Sequence, residues 1–199
     1  MRDEIRLRRE EDIAKAAYGL LEEKGFTGMS MLAIARRAKA SNETLYRWYG
    51  DKHGLFLALI LKNGEDVREF LVADLDENAS ARKTLNSLGP KLLGLLVSER
   101  AIALNRAAAA DPTGVLGEAL AKGGRGTIAP LIGRVFERLK REGMVAFDDT
   151  RDITGTYINM LVGDLQIRRV IGTLGELTQD EILARAIRAQ DAVFRLYGV

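Results

Sequence analysis

One stretch, Ser30 to Tyr49 (SMLAIARRAKASNETLYRWY), constrains this chain more than any other. Met31, Ile34, Ala35 and Ala38 recur at helical spacing, which predicts a short helix over residues 30–38 with one buried side. Ser30 is a good N-cap for it. The pattern breaks at Lys39-Ala40. Ser41 then caps a second helix, whose apolar face is Leu45, Trp48 and Tyr49. Two short helices joined by a few residues form a helix-turn-helix, and the second helix of such a pair lies in the major groove of DNA.

The side chains left on the polar face suit that task. Asn42, Glu43, Thr44, Tyr46 and Arg47 are dense in short donors and acceptors. Arg pairs with guanine, Asn with adenine, and a Thr methyl meets a thymine methyl. Tyr and Thr hydroxyls bond phosphate. Asp51 is placed to cap the next helix, with Lys52 at its N-terminus, where an ammonium and backbone donors hold a phosphate together. The candidate DNA contacts are Ser30, Arg37, Lys39, Ser41, Asn42, Glu43, Thr44, Tyr46, Arg47, Trp48 and Lys52.

Residues 12–56 resemble the DNA-binding domain of TetR-family transcriptional regulators. The resemblance rests on Ile13, Ala16-Ala17, Gly25-Phe26, Ser30-Met31, Ile34-Ala35, Ala38, Ser41, Thr44-Leu45-Tyr46, Tyr49, Lys52 and Leu55-Phe56, in order and at matching spacing. It covers about a quarter of the chain, a size suited to one DNA-reading module. It implies an all-α, homodimeric repressor whose C-terminal domain binds an effector. Five positions depart from the pattern. Lys39-Ala40 replaces the usual Gly-Val of the turn, Leu32 and Ala33 stand where charges are common, and His53 replaces Glu. A Lys in a left-handed turn is strained. The remainder of the chain, residues 52–199, more loosely resembles the C-terminal domains of the AefR-like subgroup.

Composition agrees with an all-α protein: three prolines in 199 residues, with Ala, Leu, Arg and Glu abundant. The chain has no cysteine and one histidine, which removes thiol catalysis and the usual nucleophile–base sets. No enzyme activity, metal or cofactor is therefore expected. The lack of cysteine suits a reducing cytoplasm. The charged N-terminus is unlike a signal peptide, and the longest apolar run, residues 92–97, is too short for a membrane span. The net charge of +2 lies wholly in residues 1–52, which hold 11 basic and 9 acidic side chains. The sign, though small, fits a polyanionic partner.

We divide the chain into a helix-turn-helix domain, residues 1–51, and a helical effector and dimerisation domain, residues 52–199. Residues 1–9, with Arg2, Arg6, Arg8 and Arg9, are either a basic arm reaching DNA or a solvated helix start. The pattern favours the second. A helix is expected over residues 7–24, ended by Gly25. A long helix over residues 52–75 links the domains. A loop follows at 76–79, then a helix capped by Ser80 and kinked at Pro90. Further helices are expected over 99–110, from Asp111-Pro112 to Lys122, over 127–141 and over 152–172. The last helix opens with a Thr178/Glu181 capping box. Gly123-Gly124-Arg125-Gly126 reads as a helix break or kink rather than a phosphate loop, since the Walker pattern is absent and no strand precedes it. His53 alone builds no metal site.

The expected partners are a double-stranded DNA operator, a small apolar effector and a second copy of the chain, with no membrane. Phe70, Leu96, Asn105, Tyr157 and Met160 are candidate effector contacts, mixing apolar lining with a few polar groups. Tyr157, Leu161, Leu165, Ile187 and Phe194 are candidate dimer contacts on the last two helices.

Overall fold

The computed structural model describes residues 2–76 and 80–199, with side chains for 4–75 and 80–199. The regular elements among them are helical: α1 (Arg2–Gly28), α2 (Met31–Arg37), α3 (Asn42–Tyr49), α4 (Lys52–Asp76), α5 (Ala81–Leu96), α6 (Glu99–Ala109), α7 (Val115–Leu120), α8 (Gly126–Arg141), α9 (Thr150–Val162), α10 (Leu165–Val170) and α11 (Gln179–Tyr197). One isolated bridge pairs Val145 with Gly198. The all-α expectation holds.

The chain forms two compact units, and they do not divide at residue 51. The first runs up to Lys62 and takes in Ala103–Gly123. The second is Asn63–Ile102 with Gly124–Val199. The physical reason lies in the first unit's core. Leu55, Phe56, Leu59 and Ile60 of α4, Leu104 and Ala107 of α6, and Leu116 of α7 are buried in one cluster with Ile13, Ala17, Ile34 and Leu45. A periodic pattern tells which side of a helix is buried, but not which neighbour buries it.

The second unit has its own core, centred on Leu71, Leu85, Leu88, Leu93, Phe136, Leu139, Ile153, Tyr157, Leu161 and Val193. The Phe136 and Tyr157 rings meet edge to face at 5.6 Å, a favoured aromatic geometry. Buried and half-buried polar side chains tie helix ends in place. Arg138 donates to the Asp74 and Leu75 carbonyls at the end of α4. Gln166 and Arg169 donate to the Leu96 and Val97 carbonyls at the end of α5, and Arg169 also pairs with Glu99. These are the orphan carbonyls that every helix leaves at its C-terminus.

Several local expectations change. α1 begins at Arg2 rather than at residue 7, and residues 4–9 are helix, the reading the pattern favours over a basic arm; the Arg2 side chain lies outside the described residues. Gly25, at φ 67, interrupts α1 as foreseen, yet the chain is helical again to Gly28. Asp76 closes α4, and residues 77–79 of the expected loop lie outside the described residues. Ser80 precedes α5 without a side-chain capping bond. Asp111 does not start a helix. Its carboxylate accepts from the Thr113 and Leu116 amides, and α7 opens after Gly114, a residue at φ 75. Of the break or kink expected at Gly123-Gly124-Arg125, the chain shows no break but an irregular π-helical turn, Ala121–Arg125, leading directly into α8. A side chain at Gly123 would press on Leu57 and Ile60. The helix expected over 152–172 is two, because Gly163 at φ 48 ends α9. Thr178 and Glu181 form the capping box as expected.

Candidate nucleic-acid interface

Two serines set α2 and α3. Ser30 Oγ accepts from the Ala33 amide at 3.2 Å, and Ser41 Oγ from the Thr44 amide at 3.0 Å. Each satisfies an amide that the first turn would otherwise leave unpaired. Between them the chain closes in a Schellman turn: Lys39 N–H bonds Arg36 O, and Ala40 N–H bonds Ala35 O. Lys39 occupies the left-handed position at φ 51, the one non-glycine among the described residues with positive φ. Arg9 Nη1, on α1, donates to the Lys39 carbonyl at 2.9 Å. Sequence reasoning missed this contact, because nothing near Arg9 announces a partner 30 residues away.

α3 is held from beneath and bare above. Leu45 is fully buried, while Asn42, Glu43, Tyr46 and Arg47 are exposed, Tyr46 by 50%. Thr44 is half-buried, its hydroxyl 2.7 Å from that of Ser41. Trp48 is half-buried, with the Arg6 guanidinium 5.6 Å over its ring and Tyr49 at 6.3 Å. Burial, reinforced by the Glu10 carboxylate, pushes the Tyr49 hydroxyl above its ordinary pKa.

The α3–α4 junction carries two further constraints. Gly50, at φ 75, ends α3, and Asp51 Oδ1 accepts from the Gly54 amide at 2.8 Å, the cap expected of it. That amide holds the Asp51 carboxyl below its usual pKa. Gly54 was not foreseen: a Cβ there would collide with the Tyr49 carbonyl. The sequence carried one weak signal for it, a glycine inside a helix start.

Other candidates are already engaged. Lys52 Nζ donates to the Phe26 carbonyl at 2.9 Å and lies 4.4 Å over the Phe26 ring, which packs on Phe56 and His53. Its ammonium helps lock the unit. Arg37 pairs with Glu23 at 2.5 Å, raising its own pKa and lowering that of Glu23. Ser30 and Lys39 are exposed beside the turn. A groove of about 690 Å³ between α1 and α2 is lined by Arg9, Lys15, Arg37 and Lys39 with Asp12 and Glu23. Among the described residues no three His, Asp or Glu side chains converge as a metal site requires.

The candidate effector and dimer residues separate. Phe70, Leu96 and Met160 are partly buried against the second unit's core, with Tyr157 inside it, but Asn105 belongs to the first unit. Tyr157 and Leu161 are 0% exposed, which takes both off any face that a second copy could touch. Leu165 is half-buried, and Phe194 lies under the Arg82 guanidinium at 5.0 Å. Ile187 is exposed. So are Leu183, one turn before it on α11, and Ile167 and Ile171 around α10, which the sequence reading passed over.

Comparison with known proteins matches this geometry. Residues 13–59 match the family described as bacterial regulatory proteins, tetR family, and residues 83–199 match the AefR-like transcriptional repressor C-terminal domain. The HTH-type transcriptional regulator YdeS of Bacillus subtilis is 41% identical over 54 residues, a segment spanning 27% of either chain. A TetR transcriptional regulator from Agrobacterium tumefaciens aligns over 96% of this chain and 95% of its own, with 27% identity and a TM-score of 0.75. A TetR-family structure from Mesorhizobium loti aligns over 97% and 98%, with 25% identity and a TM-score of 0.78.

Proposed function

The chain belongs to the TetR family of DNA-binding transcriptional regulators, a non-enzymatic family, and from that premise we propose that it is a dimeric repressor released from a palindromic operator by a small apolar molecule. The observation that carries the DNA half is the presentation of α3. Two serine caps and buried Leu45 fix α2 and α3, and Asn42, Glu43, Tyr46 and Arg47 are turned to solvent. Asn42, Tyr46 and Arg47 read the operator, with Arg47 and Asn42 on base edges and the Tyr46 hydroxyl on phosphate. Lys39 and Ser30, at the turn and at the start of α2, contact the flanking backbone. The groove cations Arg9 and Lys15 extend that contact. Lys52 serves chiefly to fasten α4 to Phe26.

Operator reading by this motif needs two α3 helices about 34–36 Å apart. We assign the pairing face to the exposed apolar residues Leu183 and Ile187 of α11 with Ile167 and Ile171 at α10. Apolar side chains left exposed on α11 and at α10 suit a protein contact if a second copy covers them together. The effector binds within the second unit, in the region of Phe70, Leu96, Tyr157 and Met160. α4 and α6 contribute to both units, so a ligand that favours one packing of them also biases α3. It acts only through its preference between the two states.

The test is selection of duplexes from genomic fragments, followed by titration across salt. The proposal expects recovery of an inverted-repeat sequence, with binding that weakens steeply as salt rises. Recovery of no sequence above background rejects it.

A further inference from the structure

Two buried hydroxyls in the second unit have no hydrogen-bond partner among the described residues: Thr154 Oγ1 and Tyr157 Oη. They are three residues apart on α9, so both leave its inner side. Thr154 is 5% exposed and Tyr157 0%. Burial alone does not explain the orphaning. Thr84, equally buried, donates to the Asp74 carboxylate and the Ser80 carbonyl. An unpaired buried hydroxyl is costly, and a core retains one where something else uses it.

The helix facing Tyr157 is weak at that point. A Cβ at Gly89 would lie 3.1 Å from Tyr157 Oη and 2.9 Å from Ala186 Cβ, so α5, α9 and α11 close together there through missing side chains. Pro90 follows inside α5 and cannot complete the helical bond to the Asn86 carbonyl. Helices bend most readily at such a pair. The orphaned hydroxyl therefore sits against the point where α5 lacks a backbone bond, in the helix that leads, two residues after its end, into α6.

We propose that Tyr157, with Thr154 beside it, is the polar anchor of the effector site, and that the site takes a neutral, apolar molecule bearing a carbonyl-type acceptor. This rests on the effector half of the function proposed above. The charge argument selects neutrality. Among the described residues the fully buried charged side chain of the unit is Arg169, already satisfied by Glu99 and the Val97 carbonyl. An anionic head group buried beside Tyr157 would have to draw a cation such as Arg185 or Arg138 away from the carbonyls it already serves, which is costly in a low-dielectric core. A ketone or ester oxygen needs only a donor, and burial keeps the tyrosine hydroxyl protonated. Insertion parts α5 from α9 and α11 at Gly89-Pro90 and shifts the start of α6.

The experiment uses the full chain and four probes in matched pairs: a methyl ketone and a carboxylate of the same twelve-carbon chain, and benzophenone with diphenylmethane. Calorimetric titration and thermal melting are read for wild type, Tyr157→Phe and Thr154→Val. At least one ketone binds the wild type, its matched partner binds more weakly, and Tyr157→Phe weakens ketone binding about 10-fold. The unliganded Tyr157→Phe protein melts no lower than wild type, because the hydroxyl lost has no partner. Equal ketone binding by Tyr157→Phe, tighter binding of the carboxylate, no ketone binding, or a lower unliganded midpoint each overturns the proposal. Titration of the recovered duplex with and without the bound ketone separates the two levels. Ketone binding that leaves the DNA complex intact counts against the regulator mechanism and not against the site.

Discussion

Replacing Lys39 by glycine tests whether the turn that aims α3 is strained. Lys39 is held at φ 51, where an L-residue loses about 1–2 kcal/mol relative to its preferred conformations. Glycine removes that cost, but its freer unfolded chain returns roughly 0.5–1 kcal/mol. The net gain is about 0.5–1 kcal/mol, or about 1–4 °C in the melting midpoint of a chain this size. The assay is thermal melting of wild type and Lys39→Gly, each with and without Arg9→Ala. Arg9 closes on the Lys39 carbonyl, so its loss is felt more where the turn is strained than where glycine has relaxed it. DNA titration adds a second readout. If the Lys39 ammonium reaches a phosphate, its removal lowers the salt slope by about 0.9 while the protein becomes more stable. A midpoint that falls in Lys39→Gly, or Arg9→Ala effects that are identical in both backgrounds, refutes the strained-turn argument.

Three further outcomes follow from the geometry. Ile187→Asp places a charge in the exposed apolar face of α11 and halves the mass measured in solution by light scattering; an unchanged mass removes that face from the dimer. Gly54→Ala drives a methyl into the Tyr49 carbonyl, which lowers the melting midpoint and weakens DNA binding together. The Asp51 carboxyl is held below its usual pKa by the Gly54 amide. Its stabilising contribution is therefore present above the unfolded carboxylate pKa and fades as pH falls toward the folded one. Asp51→Asn flattens that acid limb of the melting-versus-pH curve and leaves the neutral limb's slope unchanged.

Features decided within three or four residues were readable from sequence. Ser30, Ser41, Asp51 and the Thr178/Glu181 box act on amides one turn away, so their chemistry is written locally. The polar face of α3 was legible for the same reason. What failed was set by distant partners. Lys52 is drawn to a carbonyl 26 residues back, and Arg9 to one 30 residues ahead. Leu104, Ala107 and Leu116 join the first unit because of the core they meet, not because of their own spacing. Gly163 ends α9 although the apolar pattern runs on through it. Tyr157 and Leu161 look like interface residues on a helical wheel, and only packing shows that they face inward. Leu183 and Ile187 are the converse, apolar side chains at helical spacing that the chain leaves uncovered.

The central claim, that a bare α3 reads DNA in pairs, is tested most directly by fluorescence-anisotropy titration of the recovered duplex with single alanine variants. Asn42→Ala, Tyr46→Ala and Arg47→Ala should each weaken binding about 10-fold or more, with one dimer per duplex and unchanged melting midpoints. Lys83→Ala, on α5 of the second unit, should bind as wild type does. Affinity that is indifferent to all three α3 substitutions, or one monomer saturating the duplex, would contradict the account.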